Sequence, residues 1–145
     1  MLIEALGSAP RDAARLARPL SLLQAHNGLA GGWSVIQIVS HMATMEPLVL
    51  ARFQRLVLEE NPMEPIMATV YDAVPDGTPV DDYVRRFDQL RQETIRFLTQ
   101  LSHQAWLRAC THETLGVAKL HQLVRLLIAH DSEHLAQIST LRANL

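Results

Sequence analysis

The chain has 145 residues, 48% of them hydrophobic and 19% charged, with a formal net charge of −2. That balance excludes intrinsic disorder, which needs fewer apolar residues and more net charge. It also leaves no basic excess to neutralise nucleic-acid phosphates, and aromatic residues at 5% are too scarce to stack successive bases. A chain of this length is expected to form one domain over residues 1–145 and to bury roughly 70% of its unfolded surface. The lone cysteine, Cys110, excludes an internal disulfide framework and suits a reducing compartment. The N-terminal residues carry Glu4 and no basic run, so they do not read as a secretory signal. Polar or charged residues interrupt every apolar run before it reaches bilayer length. The expectation is a cytoplasmic protein with neither nucleic-acid nor membrane partners.

Apolar residues recur with helical spacing, and no segment shows period-two alternation, which predicts an all-α fold built on four main helices. The first is expected from Arg11 to His26, with Pro10 at its start, Pro19 bending or interrupting it and Asn27-Gly28 closing it. The second begins at Ser34, followed three residues later by Gln37 in a capping-box pattern. It runs towards Glu60, with a kink expected at Pro47. Residues Asn61 to Thr78 form a proline-rich connection with a possible helical turn from Ile66 to Tyr71. A connection this long spans a bundle, so the helices it joins need not be antiparallel. The third helix takes Thr78 as cap and Pro79 as first residue, with Asp81 and Asp82 favoured by the helix dipole, and ends near Ser102. A polar loop containing Cys110, His112 and Gly116 precedes a fourth helix that continues to the C-terminus.

The seven histidines divide by position. The apolar stripe of the last helix is Leu120, Leu123, Leu127, Ile138 and Leu141, with a gap that His130 and His134 fill in register (127, 130, 134, 138). Two imidazoles four residues apart on one face converge on a common point. His41 likewise sits on the second helix's stripe, between Ile38 and Met45. Unpaired imidazoles in a core lose hydrogen bonds. A metal ion resolves that, because neutral imidazole is the species that ligates. The plainer alternative is a set of core histidines bonded to carbonyls or carboxylates. His26 and His103 suit helix C-terminal ends, His121 falls off the stripe, and His112 lies in a loop with no pattern to place it.

The segment Trp33-Ser34-Val35-Ile36-Gln37-Ile38-Val39-Ser40-His41-Met42 resembles the second-helix signature of the DinB-like (DinB/YfiT-like) family: Trp-Ser, two residues, an acid, three residues, then His. Residues 127–138, with His130-x-x-x-His134 followed by Gln137-Ile138, resemble the family's last-helix signature, and Gly116-Val117 upstream also fits. The resemblance covers essentially the whole chain, the middle third in length and helicity only. It implies a four-helix bundle of up-down-down-up topology and a homodimer. It also implies a three-histidine site, His41, His130 and His134, for zinc, nickel or a similar divalent ion. One departure is Gln37, where the family often has Glu; any catalytic role of that acid is in doubt here, whereas a capping role suits Gln equally.

Three histidines leave a coordination position open, the catalytic rather than the structural pattern. Relatives within the family include thiol-dependent transferases and metal-dependent hydrolases. The preferred expectation is an enzyme transferring a low-molecular-weight thiol to a small-molecule substrate, with hydrolysis as the alternative. A metal-stabilised dimeric bundle that only binds a ligand or partner is the non-enzymatic reading. A hydrolase needs a general base. The candidates are Glu46, Asp131 and Glu133, each read here as surface or structural. Trp33 is expected to staple the start of the second helix, Met42, Met45, Met63 and Met67 to fill core rather than a pocket wall, and Cys110 to be inert.

Overall fold

The computed structural model describes residues 1–70 and 72–145. Its helices are α1 (Leu2–Ala17), α2 (Leu22–Ala25), α3 (Val35–Leu58), α4 (Val80–Thr99), α5 (His103–Trp106) and α6 (Leu120–Ala143), with a 3-10 turn at Leu29–Gly31 between α2 and α3. Three short strands, β1 (Met63–Glu64), β2 (Ala109–His112) and β3 (Gly116–Lys119), lie between the later helices. The long helices α1, α3, α4 and α6 form a four-helix bundle in which α1 and α3 each pack between α4 and α6.

The helix directions follow from which ends meet. Arg18, at the end of α1, pairs at 2.6 Å with Asp81 at the start of α4, so α1 and α4 are antiparallel. Val35 and Ile36 at the start of α3 share a core cluster with Val80, Tyr83 and Val84 at the start of α4, and with Ile138 near the end of α6. Helices α3 and α4 are therefore parallel, α6 opposes both, and the order is up-down-down-up.

The second helix starts as its sequence predicts. Ser34 N–H donates to Gln37 Oε1 at 2.8 Å and Gln37 N–H donates to Ser34 Oγ at 3.3 Å, a complete capping box. The helix then continues unbroken through Pro47 to Leu58.

The first helix differs from expectation. It begins at Leu2, with Pro10 inside it, and stops at Ala17. The proline ring removes the N–H that would bond the Leu6 carbonyl. That carbonyl accepts instead from Arg91 Nη1 at 2.9 Å, which is why the helix tolerates an internal proline. Pro19 interrupts the segment, one of the two outcomes expected of it, and α2 is a separate turn with its own capping box, Ser21 to Gln24. Gly28 is required by close approach rather than by a left-handed backbone: a Cβ there would lie 2.3 Å from the Gly32 carbonyl oxygen.

The expected polar loop is a β-hairpin, β2 pairing antiparallel with β3, and β1 adds to β2 in parallel. Pro62 O accepts from Thr111 N–H at 3.0 Å, and Glu64 O accepts from Glu113 N–H at 2.9 Å. These bonds pin the α3–α4 connection to the end of the bundle. Arg108 donates to the Leu56 and Glu59 carbonyls at 2.9 and 2.7 Å, satisfying acceptors that a helix C-terminus leaves open. No helix covers 66–70; the remaining residue of that expected turn, Tyr71, lies outside the described residues. Pro79, not Thr78, is the cap residue of α4. That helix ends at Thr99, and Ser102 caps α5, accepting from Ala105 N–H at 3.2 Å. Among the described residues no single helix is long and apolar enough to cross a membrane.

Candidate metal centre

Helices α3 and α6 pack against each other, and their stripes bring His41, from the second turn of α3, together with His130 and His134. Their ring-nitrogen ligand atoms all lie within 4.8 Å of one another. His41 Nε2 is 3.2 Å and His134 Nε2 is 3.0 Å from His130 Nε2. His41 and His134 are buried, and His130 is half-buried.

The outer ring nitrogens set the tautomers. His41 Nδ1 lies 2.6 Å from the Val70 carbonyl oxygen, and His134 Nδ1 lies 2.8 Å from Gln137 Oε1. Both partners are acceptors, so each Nδ1 carries the proton and each Nε2 presents a lone pair. His130 Nε2 faces both lone pairs and has at most one proton to share. At least one of the two contacts therefore sets lone pair against lone pair. Extra protons are no remedy. Burial, then the charges of His134, His41 and Arg91, push His130 down to about 4. Burial chiefly, with a smaller opposing contribution from the Val70 bond, lowers His41 too. A cation at the shared focus removes the conflict. Tetrahedral Zn–N bonds of about 2.0–2.1 Å place ligand nitrogens about 3.4 Å apart, close to the spacing seen here. The donor set fits a divalent ion.

The three rings open onto a cavity of about 400 Å³. Met45, Val49, Phe53, Leu123 and Leu127 form its apolar walls. Trp33 lines it rather than merely stapling the helix start, its ring centroid 5.1 Å from that of His41. Met45 and Met67 are wall residues, Met42 is core and Met63 is exposed. Glu133 is exposed, as read from sequence, and also lines the cavity beside His134.

The other two acids are elsewhere, and neither is on the surface. Glu46 and Asp131 are buried around Arg91, which is 0% exposed. Arg91 Nε and Nη2 donate to Glu46 at 2.7 and 3.0 Å. Nη1 and Nη2 donate to Asp131 at 2.8 and 3.0 Å. Thr94 Oγ1 adds a bond to Glu46 at 2.9 Å. Burial alone would lower the Arg91 pKa; the hydrogen bonds and charges of Asp131 and Glu46 outweigh it and hold the guanidinium above its ordinary value. Through Asp131, this network fixes the turn of α6 that carries His130. Sequence reasoning missed Arg91, although it sits in register on the α4 stripe (84, 87, 91, 94, 98), the same signal that singled out the histidines.

The remaining histidines stay apart from the centre. His26 Nε2 lies 2.8 Å from the Thr78 carbonyl oxygen. His112 Nδ1 accepts from Thr114 and Leu115 N–H within the hairpin turn. His103 lies in α5 and His121 near the start of α6. Cys110 is fully buried, and burial raises its thiol pKa, which suits an inert role.

The sequence model of the DinB superfamily matches residues 3–138. The chain belongs to the DinB superfamily. Among its relatives in the superfamily, a Bacillus mycoides (strain KBAB4) protein named "Putative metal-dependent hydrolase" is 27% identical over 146 residues, covering 99% of this chain and 84% of that one. A Bacillus cereus protein of the same description is 29% identical over 117 residues, covering 79% and 68%. The solved structure of YfiT from Bacillus subtilis, described as a probable metal-dependent hydrolase with an unusual four-helix bundle topology, superposes with a TM-score of 0.82 at 22% identity. It covers 99% of this DinB superfamily chain and 85% of YfiT. The four-helix bundle fold is thus shared with that solved structure.

Proposed function

We propose that this protein is a divalent-metal enzyme acting on a small molecule held in the cavity between α3 and α6. The observation that carries this reading is the meeting of three imidazole nitrogens, within 4.8 Å of one another, at a point that opens onto a cavity. A sealed site would have favoured a purely structural role. A divalent ion, zinc or nickel by the all-nitrogen donor set, supplies Lewis acidity that lowers the pKa of a nucleophile sharing the site. His41, His130 and His134 hold it. Val70 O and Gln137 orient two of the rings, and the apolar walls offer a surface for the apolar part of a substrate.

Hydrolysis is favoured by Glu133, which lines the cavity beside His134 as a candidate proton acceptor for water, and by the names of the relatives. Thiol transfer uses the same open position with a low-molecular-weight thiol as nucleophile and needs no separate base. Elemental analysis of protein purified without a histidine tag is the first test. About one equivalent of divalent metal is expected in the wild type, lost in His130→Ala/His134→Ala. No metal after addition of zinc or nickel would overturn the reading. Turnover of ester and amide panels, with and without added thiol, then separates the two chemistries. Glu133→Gln should abolish hydrolysis but spare thiol transfer. Size-exclusion chromatography with light scattering tests the homodimer implied by the family resemblance.

A further inference from the structure

One cavity residue is not explained by metal chemistry. Arg52 lines the same cavity as the three histidines but lies eleven positions beyond His41 on α3, about 16 Å along the helix axis. Its Nη2 donates to the Pro65 carbonyl oxygen. Among the described residues, Arg52 Nε is the one buried side-chain nitrogen or oxygen atom without a hydrogen-bond partner. Such an atom is costly to bury and calls for an explanation from its surroundings.

The charge of Arg52 is also only partly compensated. The acid whose charge acts on it, Glu64, is committed to Arg55 through bonds of 2.7, 3.0 and 3.3 Å. Among the described residues the one acid lining the cavity is Glu133, next to His134 at the opposite end. Between the two ends lie Met45, Val49, Phe53, Leu123 and Leu127. The cavity therefore has metal-ligating nitrogens at one end, an apolar middle and a guanidinium without a carboxylate partner at the other. Burial disfavours the Arg52 charge, and Glu64 offsets that only in part. A bound anion would supply the missing partner.

We propose that Arg52 is the specificity determinant of this cavity, receiving the carboxylate of a small aliphatic acid whose other end reaches His41, His130 and His134. This rests on the reading of the cavity as the substrate site and names the substrate class. Arginine suits the task because its planar fork pairs a carboxylate through two parallel bonds.

The test is isothermal titration of octanoate and of its neutral analogue octan-1-ol into the wild type, Arg52→Met, Arg52→Gln and Arg52→Lys, with metal content and circular dichroism measured for each. The wild type should bind octanoate about tenfold or more tighter than octanol, as expected for a charge-assisted pair. Arg52→Met and Arg52→Gln should erase that preference while leaving octanol binding unchanged, and Arg52→Lys should retain part of it. Two neutral replacements of different polarity keep the test valid where one folds poorly.

Equal affinity for the two probes, or a preference that survives in Arg52→Met, overturns the proposal; the latter would place the carboxylate at the histidines. The metal measurement separates the two readings. A preference that depends on Arg52 in protein with no metal keeps the anion subsite and removes the metal enzyme. Metal-loaded protein indifferent to Arg52 substitution does the reverse.

Discussion

Replacing Arg91 by Met removes one cation from between two buried carboxylates. In the wild type all five guanidinium N–H groups are used: two on Glu46, two on Asp131 and one on the Leu6 carbonyl that Pro10 leaves without its helical donor. Methionine keeps the stem's bulk but leaves Glu46 and Asp131 facing each other uncompensated. Breaking a buried pair in this way costs about 3–5 kcal/mol, or a fall of roughly 10–15 °C in Tm for a chain of this size. Urea unfolding followed by far-ultraviolet circular dichroism measures it. The deficit has a predicted pH dependence. Without the cation both carboxylates titrate above their unfolded values, so the folded state binds more protons than the unfolded state from about pH 4 upward. Stability then falls as pH rises through that window, and lowering the pH from 7 towards 5 should recover part of the loss. Arg91→Met/Glu46→Gln/Asp131→Asn removes the charges together and should be more stable than the single variant. A single variant within about 1 kcal/mol of wild type, or one whose deficit does not shrink on acidification, would refute the reasoning.

Gln137→Ala frees His134 Nδ1 from its acceptor and should weaken metal binding about 10–100-fold, measured by competition with a chromophoric chelator, with little change in fold. In metal-free protein His130 should stay neutral until the pH approaches about 4, read from imidazole ¹⁵N shifts. Because its folded pKa lies below its unfolded one, the unfolded state binds the extra proton first. This group's contribution is therefore present above about pH 6.5 and lost as pH falls towards about 4. Ser34→Ala should cost about 1 kcal/mol through the lost cap, read from urea unfolding. Gln37→Glu, which restores the acid common in the family, should leave metal content unchanged, because Gln37 bonds Ser34 at the helix start.

Local rules made much of this protein legible in its residues alone. The Ser34–Gln37 capping box is a contact between neighbours in sequence, so its spacing suffices. The register 127, 130, 134, 138 on α6, and 38, 41, 45 on α3, follows from helical periodicity, and it marked the three histidines as inward-facing before any tertiary contact was known. What periodicity does not carry is which partner waits on the other side. The strand Met63–Glu64 pairs with residues 111 and 112, far along the chain, and segments of two to four residues are too short to show alternation. Pro10 reads as a helix start until Arg91, from another helix, arrives to bond the Leu6 carbonyl. Glu46 and Asp131 look like surface acids on their own helices and become buried only because Arg91 lies between them. Arg52 follows the same logic: its sequence position marks it as an ordinary helix residue, and only the packing of α3 against α6 and the 65–70 segment places its guanidinium at the end of an apolar cavity. Helix faces are a local property of the chain, whereas the pairing of buried charges and the shape of a cavity exist only once distant segments meet.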